Sequence, residues 1–441
     1  MSKLLTDRRI IDGLLEFYAD DLKTSMKSGL TGAEFEQPGP QGLVQWLNLC
    51  IYKPQVGLVW GGDLAYSQLD LYRPYIARTK LRYAIFAKSL KGKSPSAVKL
   101  NVPTFTNTPE FAPSIAVGAA PSLQTLLYVT DRLENFNYIR KNPQCMHAFV
   151  GHGESDKHSS SSRLSQSYDF VFAASSASVE RFRGSGIDMD GKRFLLTGGW
   201  PVEGVEVVDK AGPFKKVLYA PTWEGHGEDR NYSSGAAIKS HLSTFTKNGG
   251  ELRFRPHPGM GSKMPVIKEV RDWLKQLVTG EPEGKSEDFN WSDVLIADVS
   301  GVVNEYLFSG KPIVVPIGPK GDWVRAFIES SSLPTYCYLW PYSEISLSDY
   351  LQSIAHDPMK TARMDRRNQI YYGTQSIDDL CGLFEEAVKY CAATQKQYTL
   401  RYPKLRQKAV EAAGLFKALP SDPEMEEAVK GIRKGKLVLA A

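Results

Sequence analysis

Short apolar, β-rich runs return along the chain with helical patterns between them, and several of them stop at Gly, Ser, Asp or Pro. They are Leu126 to Val129, His147 to Gly151, Asp169 to Ala173, Arg193 to Thr197, Lys216 to Ala220, Glu251 to Arg255, Val294 to Ala297 and Pro312 to Val315. Runs apolar on both faces that alternate with helices predict buried parallel strands in α/β layers. Val56 to Trp60 and Leu81 to Ala87 extend the first sheet. A chain of 441 residues is too long for one ordinary core, so two domains are expected. Gly198-Gly199-Trp200-Pro201, followed by a polar and β-branched stretch to Pro213, punctuates the rhythm and predicts the hinge. The expected division is residues 1–200, residues 201–392 and a basic helical tail over 393–441, with the two α/β domains facing each other across a cleft.

Other classes are excluded by composition and charge placement. Gly and Pro are scattered and 42% of residues are hydrophobic, which excludes disorder and collagen-like sequence. Five widely spaced cysteines without a Cys-x-x-Cys pair encode neither a disulfide framework nor a zinc ribbon, and they predict a reducing cytoplasm. Charges at Asp7, Arg8, Arg9, Asp12, Glu16 and Asp20 interrupt any signal-peptide core. No run reaches about 18 apolar residues, so no membrane span is expected. Ile11, Leu14, Leu15, Tyr18 and Leu22 have helical spacing and predict an amphipathic helix.

The net charge of +5 resides in the tail, where residues 396–441 hold ten basic and five acidic side chains. A protein-wide field for nucleic acid is thereby excluded. A local attraction of the tail to an anionic membrane surface or an anionic polymer remains, beside the plain alternative of a solvated helix.

Candidate chemistry lies just after strands, where open α/β sheets bind ligands. His152 stands in Gly151-His152-Gly153, whose glycines allow close approach of a ligand, and its near-neutral pKa suits proton transfer. A structural loop histidine is the alternative. His257 is fixed between Pro256 and Pro258, with Arg255 beside it as a phosphate donor, unless this is only a rigid turn. Ser300 and Gly301 follow the strand ending at Ala297 and open a helix, an expected anion site, with Glu305 one turn on as an acceptor for ribose hydroxyls. Thr222 and Trp223 sit at a third strand end, where Trp223 either stacks on a base or packs. No phosphate-binding Gly-Lys-Ser/Thr loop, nucleophile elbow or dinucleotide fingerprint is present.

Taken in order, the loop beginning His152-Gly153, the Thr197 to Pro201 segment, Tyr-Ala-Pro-Thr-Trp at 219–223, Arg-Pro-His-Pro at 255–258 and Asp298-Val-Ser300 resemble the teichoic-acid CDP-glycerol glycerophosphotransferases. The likeness covers about residues 125–320, and weakens toward 392. It implies a GT-B fold of two Rossmann-like domains and transfer of a polyol phosphate, glycerol or ribitol, from a CDP-alcohol to a polymer or lipid-linked acceptor hydroxyl in cell-wall or capsule synthesis, releasing CMP. It further implies that His152 is the base, that His257 binds the donor phosphate and that Ser300 contacts it. Gly153, Arg255, Gly301, Glu305, Thr222 and Trp223 complete the expected substrate set.

The sequence departs from the family pattern at Glu154, Val299, Gly301 and Glu305, which bears on donor and acceptor identity. Neither a cofactor nor a catalytic metal is expected. Two readings compete with this one: a GT-B enzyme acting on a nucleotide sugar, whether glycosyltransferase or epimerase, and a non-catalytic partner protein that keeps the fold.

Overall fold

The computed structural model describes residues 52–63, 66–89, 102–106, 117, 122–155, 157, 163–187, 189–208, 212–225, 231–280, 283–373 and 376–401, with side chains as far as Gln395. The expected N-terminal amphipathic helix and nearly all of the basic tail lie outside these residues.

Among the described residues, twelve strands form two sheets. The first holds β1 (Val56–Val59), β2 (Tyr83–Phe86), β3 (Thr104–Phe105), β4 (Thr125–Tyr128), β5 (Met146–Phe149), β6 (Phe170–Ala173) and β7 (Phe194–Leu196). The second holds β8 (Lys216–Ala220), β9 (Glu251–Phe254), β10 (Val294–Ala297), β11 (Ile313–Ile317) and β12 (Tyr338–Pro341). Between and after them run α1 (Tyr66–Leu69), α2 (Arg73–Arg78), α3 (Asn135–Lys141), α4 (Ser176–Gly184), α5 (Gly235–Lys247), α6 (Pro265–Leu277), α7 (Lys285–Trp291), α8 (Gly301–Tyr306), α9 (Trp323–Ser330), α10 (Leu347–Ser353), α11 (Lys360–Tyr371) and α12 (Ile377–Arg401). All ten expected runs are strands. The sequence reading lacked β3, only two residues long, and β12, whose alternating burial lacks the two-sided apolar signal of the others.

The strand orders are β3-β2-β1-β4-β5-β6-β7 and β12-β11-β10-β8-β9, and every pairing is parallel. Parallel strands need crossovers, and the helices that supply them cover both faces of each sheet. This is why β1, β4 and β10 are buried throughout. Each sheet reverses its order once, between β1 and β4 and between β8 and β10, so each has a crevice at the carboxyl ends of those strands. The result is the GT-B arrangement of two α/β layers.

The segment after β7 is held firmly. Gly199 N–H donates to the Ile370 carbonyl at 2.9 Å, and Trp200 meets Tyr72 edge-on at a ring separation of 4.9 Å. Helix α12 then returns to the first sheet. Leu380, Cys381, Phe384, Val388 and Cys391 recur at three- and four-residue spacing and are buried. Phe384 stacks on Tyr75 at 4.1 Å, and Gln395 Nε2 donates to the Gln144 carbonyl at 3.0 Å. The last described helix thus completes the core of the first sheet, although it follows the second in sequence. Among the described residues no helix is long and apolar enough to cross a membrane.

Candidate active site

Strand β5 ends beside β4, and the chain leaves it through Gly151, His152 and Gly153. Gly153 has φ +133, a conformation that side-chain-bearing residues rarely adopt, so the turn presenting His152 requires glycine. His152 Nδ1 lies 2.9 Å from the Val129 carbonyl at the end of β4. A carbonyl only accepts, so Nδ1 carries the proton and the neutral ring keeps its lone pair on Nε2. The side chain is exposed to solvent on one side, yet the cleft walls desolvate it. Burial and the Arg132 charge together hold its pKa below the ordinary histidine value, against the pull of the Val129 carbonyl.

Glu154 anchors this loop. Its carboxylate pairs with Arg181 at 2.5 Å and accepts from Ala174 N–H at 3.2 Å. Burial raises its pKa, but the Arg181 charge and the hydrogen bonds outweigh that and keep it low. Its backbone carbonyl accepts from Asn304 Nδ2 of α8 at 3.1 Å, which joins the two halves of the molecule. A Cβ at Gly301 would lie 3.4 Å from the same carbonyl, at ordinary van der Waals contact. The start of α8 thus packs directly against the His152 loop.

On the other side of the cleft, β8 ends at Pro221-Thr222-Trp223-Glu224. Thr222 N–H donates to Asp298 Oδ2 at 2.8 Å, and Ser234 N–H donates to Oδ1 at 3.1 Å. Asp298, at the end of β10, is buried, and desolvation outweighs these bonds so that its pKa rises to about 6. Trp223 stacks on His257 with ring centres 5.9 Å apart and planes 16° apart. Glu224 accepts from the backbone N–H groups of Gly261, Lys263 and Met264 at 2.8, 2.7 and 3.0 Å. It thereby fixes the turn after His257 and the start of α6.

His257 is presented by that turn. Its backbone N–H donates to the Pro221 carbonyl, and Gly259 N–H donates to its Nδ1 at 3.0 Å. With Nδ1 accepting, the neutral ring carries its proton on Nε2, opposite to His152. Burial, then the Lys157 and His152 charges, lower its pKa to about 4 against an upward pull from Glu224. It is therefore a neutral hydrogen-bond donor near pH 7.

Arg255 and Glu305, expected as ligand contacts, are tied to neighbours. Arg255 Nη1 lies 2.8 Å from Asp288 Oδ2, a carboxylate that also holds Arg253 at 3.0 Å. Glu305 pairs with Lys285 at 2.8 Å. Ser300 is the N-cap of α8 and donates to the Asp298 carbonyl at 3.2 Å. Helix α8 spans six residues before a 3-10 turn, so the helix end expected to attract an anion is short, with little dipole behind it.

Cleft residues that sequence reasoning did not select are Lys157, Glu224, Asn304 and Tyr232. Lys157 Nζ donates to Thr222 Oγ1 at 2.7 Å and lies 5.4 Å from the Tyr232 ring centre. A lysine in a polar loop carries no local signal, because what marks it is a partner sixty-five residues away. The arrangement as a whole offers a base, a neutral donor and an ammonium at one crevice.

Residues 208–317 match the family described as CDP-Glycerol:Poly(glycerophosphate) glycerophosphotransferase. Among solved structures, the wall teichoic acid polymerase TagF is 14% identical, over 86% of this chain and 98% of that one, with a TM-score of 0.48. A glycosyltransferase from Rickettsia africae is 12% identical over 76% of this chain and 98% of that one, at 0.46. The S. aureus MnaA–UDP structure is 13% identical over 74% and 94%, at 0.45. No curated protein matches the chain.

Proposed function

We propose, from the premise that residues 208–317 belong to the CDP-glycerol:poly(glycerophosphate) glycerophosphotransferase family, that this transferase moves a polyol phosphate from a CDP-alcohol to an acceptor hydroxyl and releases CMP. The observation that carries the reading is the pair of neutral histidines in opposite tautomers at one cleft, His152 with a free lone pair and His257 with an N–H.

The acceptor hydroxyl gives its proton to His152 Nε2 as its oxygen bonds to the phosphorus bearing the polyol. The bond from that phosphorus to the bridging oxygen breaks in line, and CMP leaves with the electron pair. His257 Nε2–H donates to the phosphate oxygens on which charge develops, so positioning and fixed dipoles supply most of the rate. Thr222, Trp223, Gly153, Ser300 and Gly301 shape the crevice. Arg255 and Glu305 support it from their ion pairs. In the same reading the basic residues after Gln395 favour an anionic surface, which would bring the enzyme to a membrane-borne or polymeric acceptor.

The test is turnover of CDP-glycerol or CDP-ribitol with product analysis, beside a thermal-shift panel that includes UDP- and GDP-sugars. CMP release together with a polyol phosphate on the acceptor is expected. A nucleoside diphosphate product would instead mark a nucleotide-sugar enzyme.

A further inference from the structure

Lys157 follows His152 in the loop of the first domain, yet its Nζ is hydrogen-bonded to Thr222 on the second. Among the described residues, two titratable groups interact with it electrostatically: Asp298 at the end of β10 and His257 after β9. The Tyr232 ring lies beneath it.

The described carboxylate that acts on it, Asp298, is already engaged by other donors. Asp298 directs its two oxygens at the backbone N–H groups of Thr222 and Ser234, and although desolvation raises its pKa to about 6 it is ionised near pH 7, with its charge shared by those two donors. The ammonium is correspondingly under-compensated. Desolvation lowers its pKa to about 8 against the upward pull of Asp298, and its charge depresses His257. A lysine has three N–H donors, and Thr222 takes one of them with a neutral oxygen. A half-buried cation whose hydrogen bond goes to a neutral hydroxyl, and whose counter-ion is already engaged by two backbone N–H groups, is poised for an anion. It stands at the reversal point of the second sheet, on Thr222 after β8 and near Asp298 after β10.

We infer that Lys157 is a cationic ligand for the diphosphate of a nucleoside diphosphate donor, exchanging its bond to Thr222 for phosphate oxygens and joining the two domains across the bound donor. Its role in transfer rests on the function proposed above, whereas its affinity for diphosphate does not. In the transfer step the ammonium remains protonated, and it stabilises charge on the leaving CMP.

The test uses the full chain as wild type, Lys157→Met and Lys157→Arg. Inorganic pyrophosphate is the calorimetric probe at pH 7 and pH 9, and CDP-glycerol turnover is a separate assay. Lys157→Met should lose at least about 10-fold in pyrophosphate affinity at pH 7 and about 10²-fold or more in kcat. Lys157→Arg should keep its affinity within about 3-fold and hold it at pH 9, where the wild type loses charge and weakens relative to the arginine variant. That pH contrast is not expected of a purely structural tie, and it reads the proposal even if the methionine variant folds poorly. Equal pyrophosphate affinity in wild type and Lys157→Met, no binding by wild type, or the same pH dependence in wild type and Lys157→Arg would overturn it. Loss of pyrophosphate binding in Lys157→Met without any CDP-glycerol turnover by wild type would sustain this inference and reject the proposed function. Turnover by wild type with Lys157→Met unchanged in both assays would do the reverse.

Discussion

His152 and His257 occupy one cleft in opposite tautomers, the first donating from Nδ1 to the Val129 carbonyl and the second accepting at Nδ1 from Gly259 N–H. The protein thereby aims a lone pair and an N–H from two separately built crevices. Both rings are held neutral near pH 7 by desolvation and nearby cations, so the division of labour does not depend on titration in that range.

Replacing His152 should separate binding from turnover. His152→Ala is expected to lower kcat by about 10²- to 10⁴-fold, because the group acts on the acceptor proton. Donor affinity, measured by calorimetry with CDP-glycerol, should stay within a few-fold. Weakened donor binding with normal turnover would contradict the assignment.

The pH profile should show an acid limb below about 6.5, the ordinary histidine value. The base works only when neutral, so activity falls as pH drops through the lowered pKa of His152. The Arg132 charge contributes to that lowering, and Arg132→Gln should therefore move the limb upward. A limb that stays in place would remove Arg132 from the electrostatics of the site.

His257→Ala and Ser300→Ala should each weaken donor binding. The first removes an N–H that Trp223 stacking and the Gly259 bond hold in place; the second removes a hydroxyl at the start of α8. Titration with CDP distinguishes them from the His152 variant, which should bind normally. Unchanged affinity in both would move the donor elsewhere in the cleft.

Glu224→Ala should destabilise the fold by roughly 2–4 kcal/mol, since three backbone N–H groups lose a charged acceptor. Chemical denaturation measures the loss, and Glu224→Gln should recover part of it. The His257 turn is fixed by the same carboxylate, so donor affinity should fall in parallel with stability. A fully stable Glu224→Ala protein would show that the turn holds without it.

The basic residues after Gln395 should promote partial, salt-sensitive binding to anionic vesicles. Ten cations against five anions give modest attraction at about 1 kcal/mol per residue close to the surface, screened over about 8 Å at physiological ionic strength. Co-sedimentation of the full chain is compared with a chain ending at Gln395, with and without added salt. Equal sedimentation would leave the tail without this role.

The strands and the two histidines were legible locally. Runs such as Val294 to Ala297 are apolar on both faces because a parallel sheet is covered on both sides, and glycine or proline brackets His152 and His257 where a strand must turn. Short β3 and the half-exposed β12 carry too little of that pattern to be recognised. Tertiary structure alone decided which groups meet. Lys157 reaches Thr222 across the cleft, Glu224 caps a turn some forty residues on, and α12 crosses back to the first sheet. It also ties Arg255 and Glu305 into ion pairs with Asp288 and Lys285, and it sets Gly301 against the Glu154 carbonyl. Patterning reports which face of an element is buried. The partner of a polar side chain, and hence its charge state and orientation, depends on distances between segments remote in sequence, which no local pattern encodes.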